Sequence, residues 1–110
     1  MRLPNAERAT VPADKILLYL LSMRHPGGRY KAACFLRFGF TPDAWEVMTE
    51  ALRQHAIGNE VSTVRDTPYG MKYTIEGSLQ TPDGRNPVMR TVWFVEGGEE
   101  VPRFVTAYPC

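Results

Sequence analysis

The sequence predicts an α+β protein in which three N-terminal helices pack on one face of a four-stranded antiparallel meander sheet. Two observations support this fold class. Apolar residues recur at helical spacing up to about residue 57, whereas from residue 60 they alternate with polar residues, as in a strand. The connections between the predicted strands are also short, and short connections require antiparallel neighbours.

Length and composition predict one domain over residues 1–110, with 44% apolar and 23% charged residues. We interpret residues 1–10 as an extended lead-in that lies across the surface, residues 11–57 as the helical half and residues 60–108 as the sheet half. The longest apolar run, residues 16–21, is far too short to span a bilayer. We therefore expect a cytoplasmic protein without membrane contact.

Start and stop signals place the helices near residues 12–23, 29–38 and 41–58. Pro12 suits a first helical position because it lacks the N–H that such a position leaves unpaired. Thr41 followed by Pro42 repeats this signal, with Thr41 as the N-cap. Gly39 is the predicted stop of the second helix, and Gly58 that of the third.

Four strands are predicted near residues 60–66, 70–79, 86–95 and 102–108. The second strand alternates most clearly, with Met71, Tyr73 and Ile75 on one face. The third and fourth strands carry apolar residues at both parities, so their alternation leaves open which side chains face outward.

The apolar positions of these elements predict a single buried core. Its predicted members are Leu17, Leu20, Phe35, Trp45, Met48, Leu52, Ile75, Val92 and Val105. Cys34 lies in an apolar helical stretch and is interpreted as a small core residue rather than a nucleophile. His55 follows the stripe of the third helix near its end, which suggests a partner for the helix dipole rather than a catalyst.

A first candidate site lies in the loop and helix start over residues 24–31. The net charge of the chain is only +1, so any contact with nucleic acid must be local, and here His25 and Lys31 stand among arginines with no acid between them. Such a loop would present backbone N–H groups and a positive helix end to an anion such as a phosphate. Alternatively, the glycines only allow a tight turn and the cations are solvated.

A second candidate site is the polar face of the sheet. It would carry Lys72, Thr74 and Glu76, with Arg90 or Thr91, and with Arg103 or Thr106 and Tyr108. A sheet covered on one face only leaves such side chains free to form a shallow site. The alternative is a solvated face with ordinary cross-strand pairs.

Other kinds of site find no support in the sequence. The two histidines belong to no cluster at metal-ligand spacing, so we expect neither a metal nor a cofactor. A phosphate loop ending in Gly-Lys-Ser/Thr and a Gly-x-Ser-x-Gly elbow are both missing from the sequence.

Several short motifs resemble a family of small uncharacterised bacterial domains, over about Leu3 to Pro109. The motifs are Leu20-Leu21-Ser22, His25-Pro26, Gly28, Lys31-Ala32, Thr67-Pro68-Tyr69-Gly70-x-Lys72-Tyr73, Thr91-Val92-Trp93 and the ending Pro102-Arg103-Phe104-Val105-Thr106-Ala107-Tyr108-Pro109. The order of helices before a meander, and the ending Val-Thr-Ala-Tyr-Pro, also resemble the barnase, EndoU, colicin and RelE group of toxin ribonucleases.

The second resemblance implies a metal-independent endoribonuclease of the bacterial toxin type. It makes His25 the general acid or base, since an imidazole exchanges protons near neutral pH. It makes Lys31, Lys72 and Arg103 candidates for binding phosphate and transition-state charge, and Thr106 and Tyr108 candidates for hydrogen bonds to substrate. The implied partners are RNA, such as tRNA or mRNA, and a cognate antitoxin or immunity protein.

Two further questions stay open at the level of sequence. Tyr69, Tyr73 and Trp93 could stack on bases if they are exposed, although a packing role suits each of them equally. The chain could also be a non-catalytic binding module, such as an immunity, inhibitor or adaptor domain, that uses the exposed sheet face. The near-neutral charge favours this second function, whereas the cluster from His25 to Lys31 and the terminal motif favour the ribonuclease.

Overall fold

A computed structural model describes residues 1–108 as three helices followed by a four-stranded antiparallel sheet, which confirms the predicted fold class. Pro109, which closes the terminal motif, and Cys110 lie outside the described residues. The helices are α1 (Ala13–Lys15, continued by a π-helical turn over Ile16–Leu20), α2 (Arg29–Arg37) and α3 (Trp45–Gly58), with 3-10 turns at Ala6–Arg8 and Pro42–Ala44. The strands are β1 (Val61–Thr67), β2 (Gly70–Ser78), β3 (Val88–Glu96) and β4 (Arg103–Tyr108).

The second and third helical segments begin where predicted, whereas Pro12 is the N-cap of the first helix rather than its first residue, and that helix is irregular. Thr41 caps the third helical segment, because its Oγ1 accepts a 3.2 Å hydrogen bond from the Ala44 N–H. The first helix does not run as a regular α-helix to Met23. Instead, the Leu21 N–H bonds to the Ile16 carbonyl at 2.8 Å, which closes a wider π-helical turn. Such turns are often found at functional sites.

The sheet is a meander in the order β1-β2-β3-β4, as predicted. Its last pairing contains a β-bulge, since Trp93 faces Phe104 whereas the preceding Val92 faces Thr106. Val105 is therefore an extra residue in β4. This irregularity interrupts the alternation of β4, and the sequence pattern gave no indication of it.

The two faces of the sheet follow from this register, because directly opposed residues point to the same side. The helix-covered face carries Tyr73, Ile75, Thr91, Trp93, Phe104 and Ala107. We call the other side the open face; its residues on β2 to β4 are Lys72, Thr74, Glu76, Arg90, Val92, Phe94, Arg103, Thr106 and Tyr108. Arg90 rather than Thr91 therefore faces outward, and Arg103, Thr106 and Tyr108 all lie on the same face.

The predicted core is buried, with two corrections of detail. Leu20, Phe35, Met48, Leu52, Ile75 and Val92 are buried, and Leu17, Trp45 and Val105 are half-buried. Val92 is buried on the open face and not beneath the helices. The π-helical turn directs Ile16 rather than Leu17 into the core, where Ile16 is fully buried. Cys34 is buried, as expected of a core residue.

The lead-in is part of the folded structure rather than a surface extension, which corrects the prediction for residues 1–10. Leu3, Ala6 and Ala9 are all buried. Thr10 adds to the edge of β4, with its N–H bonded to the Pro102 carbonyl at 3.0 Å and its carbonyl bonded to the Phe104 N–H at 2.9 Å. Apolar residues at every third position pack this segment against the core.

His55 is buried in a polar network rather than paired with its helix end, so the dipole interpretation was wrong. Its Nε2 lies 3.0 Å from the Gly77 carbonyl and 3.2 Å from the Met89 carbonyl, and its Nδ1 lies 2.9 Å from Thr91 Oγ1. Trp93 Nε1 donates to the same Thr91 oxygen at 2.9 Å. Burial lowers the pKa of His55, while the two carbonyl hydrogen bonds oppose that shift. His55 is therefore a neutral structural residue.

None of the helices over residues 1–108 is long and apolar enough to cross a lipid bilayer. The longest, α3, has 14 residues and carries charged side chains along its length. Its apolar stripe packs against β2 and β3 and forms the centre of the core.

Candidate functional site

A cleft of about 390 Å³ lies between the first two helices and β4. It is lined by Lys15, Tyr19, His25, Lys31, Val105, Thr106 and Tyr108. Two lysines, an imidazole and three hydroxyl groups thus meet in one concavity, and no carboxylate of the described residues lines it. Across residues 1–108 no group of three or more His, Cys, Asp or Glu side chains is placed to hold a metal ion.

Lys31 lies at the centre of this cleft. Its Nζ donates hydrogen bonds to Tyr19 Oη at 2.8 Å and to Thr106 Oγ1 at 2.9 Å. The same ammonium group lies 4.2 Å from the ring centroid of Tyr108, within range of a cation–π contact. Lys31 is half-buried and forms no salt bridge with any carboxylate of the described residues. Its positive charge is therefore available to an external anion.

Tyr19 is placed in the cleft by the π-helical turn of the first helix. Its pKa lies below the usual value of a phenol. Burial alone would raise this pKa, but the hydrogen bonds to Lys31 and Thr106 and the positive charges of Lys31 and Lys15 outweigh burial. The Lys15 ammonium lies 5.9 Å from the ring centroid of Tyr19. The surroundings of Tyr19 thus shift its ionisation toward the phenolate relative to a phenol in water.

Gly28 allows the second helix to approach Tyr19. A Cβ at position 28 would lie 2.8 Å from Tyr19 Cδ1 and 3.2 Å from the Tyr19 carbonyl oxygen. Real Cβ atoms do not make contacts that short with a ring, so only glycine fits without a shift of the loop or the ring. Gly28 therefore fixes the distance between the Tyr19 ring and the helix that carries Lys31.

His25 lies at the exposed rim of the cleft, where its ring packs edge-on against Tyr19 with 4.9 Å between centroids. Its Nδ1 accepts a 3.1 Å hydrogen bond from the Gly27 N–H. A neutral His25 in this geometry carries its proton on Nε2. Its carbonyl accepts from the N–H groups of Gly28 and Arg29 at 3.1 and 3.0 Å. The N–H groups of Gly27, Gly28 and Arg29 are thus already bonded within the loop, and the hydrogen-bond donors that line the cleft are side chains.

Lys72 and Arg103, the two other cations expected at the site, lie outside the cleft. Arg103 forms a 3.0 Å salt bridge with Glu96, and its guanidinium lies 5.5 Å from the ring centroid of Phe94. Lys72 is exposed on β2 and faces Phe94 across the sheet. The structure therefore brings His25, Lys31, Thr106 and Tyr108 together, and leaves Lys72 and Arg103 in a neighbouring row of the open face.

The three aromatic residues considered for base stacking differ in how far their side chains are exposed to solvent. Tyr69 is 80% exposed in the turn between β1 and β2, outside the cleft, whereas Tyr73 is 7% exposed and Trp93 fully buried. Tyr73 and Trp93 are therefore core residues.

Sequence reasoning did not identify Tyr19 or Lys15 as site residues. Their spacing of four residues was an available signal, because residues i and i+4 share one face of a helix. That face lies beside the apolar stripe of the helix, so the sequence alone does not distinguish Tyr19 from a packing residue. The folded structure distinguishes it, because Lys31 and Thr106 lie next to the Tyr19 hydroxyl.

Residues 2–110 match a family model described as Domain of unknown function (DUF6883). The chain belongs to this family. In this chain, most of the residues that line the cleft belong to the segments from His25 to Lys31 and from Arg103 to Tyr108. No curated protein matches this DUF6883 domain.

Among solved structures, the DUF6883 domain is similar to a chain from a contact-dependent growth inhibition toxin–immunity protein complex of Klebsiella pneumoniae 342. The TM-score is 0.74 at 19% sequence identity, and the match covers 94% of this chain and 95% of that chain. At this level of identity the similarity shows that the two chains share a fold.

Proposed function

We propose that this protein is an endoribonuclease that cleaves RNA in the cleft by acid–base transesterification and without a metal ion. The observation that carries this proposal is the half-buried Lys31 ammonium, which two hydroxyl groups hold and no described carboxylate neutralises. An uncompensated cation that is partly removed from water favours an anionic ligand. The phosphodiester of a nucleic acid supplies such an anion beside an exposed imidazole.

The residue types in the cleft suit RNA cleavage better than most other reactions of phosphodiesters. Transesterification uses the ribose 2′-hydroxyl as nucleophile, so it requires proton transfer and stabilisation of charge on the phosphate. His25 supplies the first requirement, and Lys31 with Lys15 supplies the second. Thr106 and Tyr108 line the same cleft and can hydrogen bond to the sugar or the phosphate.

In the proposed step, the 2′-oxygen loses its proton and attacks the phosphorus while Lys31 stabilises charge on a non-bridging oxygen. The bond from phosphorus to the 5′-oxygen breaks, and that oxygen takes up a proton. The products are a 2′,3′-cyclic phosphate and a free 5′-hydroxyl. His25 takes part by exchanging a proton at Nε2. In this role it must release the Gly27 N–H, because both the imidazolium and the other neutral tautomer carry a proton on Nδ1.

We further propose a toxin role for this activity; the comparison with solved structures supports a place in a toxin–immunity pair and is equally in accord with the immunity side. The shared fold occurs in a growth inhibition toxin–immunity protein complex. A cognate antitoxin or immunity protein that covers the cleft is therefore part of the proposal. Both the toxin role and this partner extend the argument beyond the shared fold.

The test is incubation of the purified protein with total bacterial RNA and with tRNA in excess chelator. We expect fragments that end in a 2′,3′-cyclic phosphate, and no cleavage of a 2′-O-methylated RNA of the same sequence. A requirement for added metal, or cleavage of the methylated RNA, would contradict the proposed chemistry.

Variants of the cleft connect this activity to its residues. We expect His25→Ala to lower the cleavage rate by about 10²-fold or more, the usual contribution of a proton-transfer group. Lys31→Met should also cause a large loss. Lys72→Met removes a lysine of the same sheet outside the cleft and should lose far less activity than Lys31→Met. Equal losses in the two lysine variants would show that the chemistry does not depend on the cleft around Lys31 and would contradict the proposed site.

A non-catalytic binding module is the second candidate function, and the charges of the open face favour it. Arg90 pairs with Glu76 and Arg103 pairs with Glu96, both at 3.0 Å, so these arginines are not available as free cations for nucleic acid. A face with balanced charges suits a protein partner. Intact RNA in every assay, with no growth defect on induced expression, would favour this function over the ribonuclease.

A further inference from the structure

We infer that Tyr19 is the general base that removes the proton from the ribose 2′-hydroxyl, a role that rests on the proposed ribonuclease function. Tyr19 Oη faces the cleft 2.8 Å from the Lys31 Nζ and 3.5 Å from Thr106 Oγ1. A lysine ammonium has three protons, and Lys31 gives two of them to these oxygens. The third can bind a phosphate oxygen, which brings the adjacent ribose close to Tyr19 Oη.

The hydrogen bond of His25 prevents this residue from acting as the general base, so another group must accept the proton of the 2′-hydroxyl. With Nδ1 bonded to the Gly27 N–H, the neutral ring holds its proton on Nε2 and has no free lone pair directed to substrate. His25 can serve as an acid once it is protonated, because the imidazolium carries a transferable proton on Nε2. A second group must then accept the proton of the nucleophile, and the Tyr19 phenol lies in ring contact with His25 at 4.9 Å.

The charged and titratable groups around Tyr19 all favour this assignment. Lys15 lies on its own helix, Lys31 on α2, His25 on the intervening loop and Tyr108 on β4. No carboxylate from the described residues lines the cleft with them. The phenolate of Tyr19 is thus stabilised by two ammonium groups and opposed by no carboxylate within residues 1–108 that lines the cleft, in agreement with its lowered pKa.

Two proton transfers accompany the cleavage step. The Tyr19 phenolate takes the 2′-hydroxyl proton and becomes a phenol, while the 2′-oxygen forms its bond to phosphorus. The bond from phosphorus to the 5′-oxygen breaks, and the leaving oxygen takes a proton from the His25 imidazolium. Tyr19 then releases a proton to water and His25 takes one up, so the site returns to its starting state without a co-reactant.

The kinetic test compares Tyr19→Phe with Thr106→Val. Both variants remove one acceptor of Lys31, but only the first removes the phenol. We expect Tyr19→Phe to lower kcat by about 10²-fold or more with little change in KM, whereas Thr106→Val should lose less than about tenfold. In the wild type kcat should depend on pH as a bell, because the step needs Tyr19 deprotonated and His25 protonated at the same time, and the rising limb should be absent in Tyr19→Phe. Similar losses and similar pH profiles in both variants would reduce Tyr19 to a positioning residue for Lys31.

A spectroscopic titration tests Tyr19 without any RNA. The near-ultraviolet absorbance of phenolate is followed with pH in the wild type, in Tyr19→Phe and in Tyr30→Phe, which lacks an exposed phenol outside the cleft. One phenol should ionise before the others in the wild type and in Tyr30→Phe but not in Tyr19→Phe, and Lys31→Met should delay it. Ionisation of Tyr19 together with the other tyrosines would overturn the assignment.

The two proposals fail in different ways. If the wild type cleaves no RNA, the proposed function fails and the base role fails with it. If the wild type cleaves RNA and Tyr19→Phe cleaves it at a similar rate, only the assignment of Tyr19 is overturned.

Discussion

Lys31 Nζ and Thr106 Oγ1 are joined by a 2.9 Å hydrogen bond although the two residues are 75 positions apart in the sequence. The bond connects α2 to the edge strand β4, and it directs a positive charge from the helical half toward the open face of the sheet. The cleft therefore exists only in the folded chain. Variants that remove groups from it should change RNA binding and cleavage more than they change folding.

The first prediction concerns the salt dependence of RNA binding. Lys31→Met removes one phosphate contact, so a plot of log affinity against log salt concentration should become shallower by roughly 0.7 for single-stranded RNA. Binding of a 2′-O-methylated oligonucleotide, measured by fluorescence anisotropy between low and moderate salt, checks this value. An unchanged slope would show that the Lys31 ammonium does not contact phosphate.

The second prediction concerns Gly28. Gly28→Ala places a Cβ 2.8 Å from the Tyr19 ring, so the loop or the ring must move. We expect a loss of about 1–3 kcal/mol in unfolding free energy, typical of overpacking, together with a loss of cleavage. Gly27→Ala is the matched control, since its Cβ would meet only the His25 ring, at 3.4 Å. Chemical denaturation of both variants checks the difference, and equal stabilities would contradict the proposed packing.

The third prediction follows from the lowered pKa of His55. In the folded protein burial depresses this pKa below 6.5, whereas the unfolded chain keeps about the usual value. Below pH ~6.5 the unfolded chain therefore binds a proton that the folded protein does not. Stability should be complete above that pH and should fall as the pH decreases toward the lowered pKa, by at most about 1.4 kcal/mol per pH unit.

Urea denaturation between pH 5 and pH 8, a range around the usual imidazole pKa of about 6.5, measures this effect. His55→Gln should abolish most of the decrease, whereas His25→Ala, which changes an exposed imidazole, should retain it. Should His55→Gln fail to fold, an NMR titration of the wild-type imidazoles gives the same answer. An ordinary pKa for His55 would contradict the prediction.

The fourth prediction compares two threonines of the third helical segment. Thr49 Oγ1 is the buried side-chain polar atom that lacks a hydrogen-bond partner within residues 1–108. Thr49→Val removes this unsatisfied hydroxyl and should stabilise the protein by about 1 kcal/mol. Thr41→Val removes an N-cap and should destabilise it by about 1 kcal/mol. Thermal unfolding distinguishes the expected gain in stability from the expected loss. A loss of stability in Thr49→Val would show that the Thr49 hydroxyl has a hydrogen-bond partner in solution.

Most of the fold could be predicted from the sequence because its local signals agree with its tertiary structure. Thr41 caps the segment it was expected to cap, and the alternation around Tyr73 gives the correct inner face of β2. The lead-in was misjudged, because Leu3, Ala6 and Ala9 are too sparse to form a recognisable helix or strand pattern. Their burial depends on contacts with segments distant in sequence.

The candidate site was only partly predictable, for a related reason. His25 and Lys31 were recognised because a loop with glycines and cations is visible locally. Tyr19 was missed because its partners, Lys31 and Thr106, belong to other elements. His55 was misassigned because its position in the sequence shows the nearby helix end but not the carbonyl groups of Gly77 and Met89.

The extra residue in β4 makes the site depend on strand register as well as on side-chain chemistry. If Val105 paired with Val92 in a regular ladder without the bulge, Thr106 would pair with Thr91, and each later side chain would turn to the opposite face. Thr106 and Tyr108 would then point beneath the helices, and Ala107 would face Lys31. Every residue with a proposed role would still be present in the chain, yet Lys31 would lose its hydroxyl partner on the sheet. Deletion of Val105 would instead remove only the extra residue and keep Thr106 opposite Val92, so the bulge decides on which face Thr106 and Tyr108 lie.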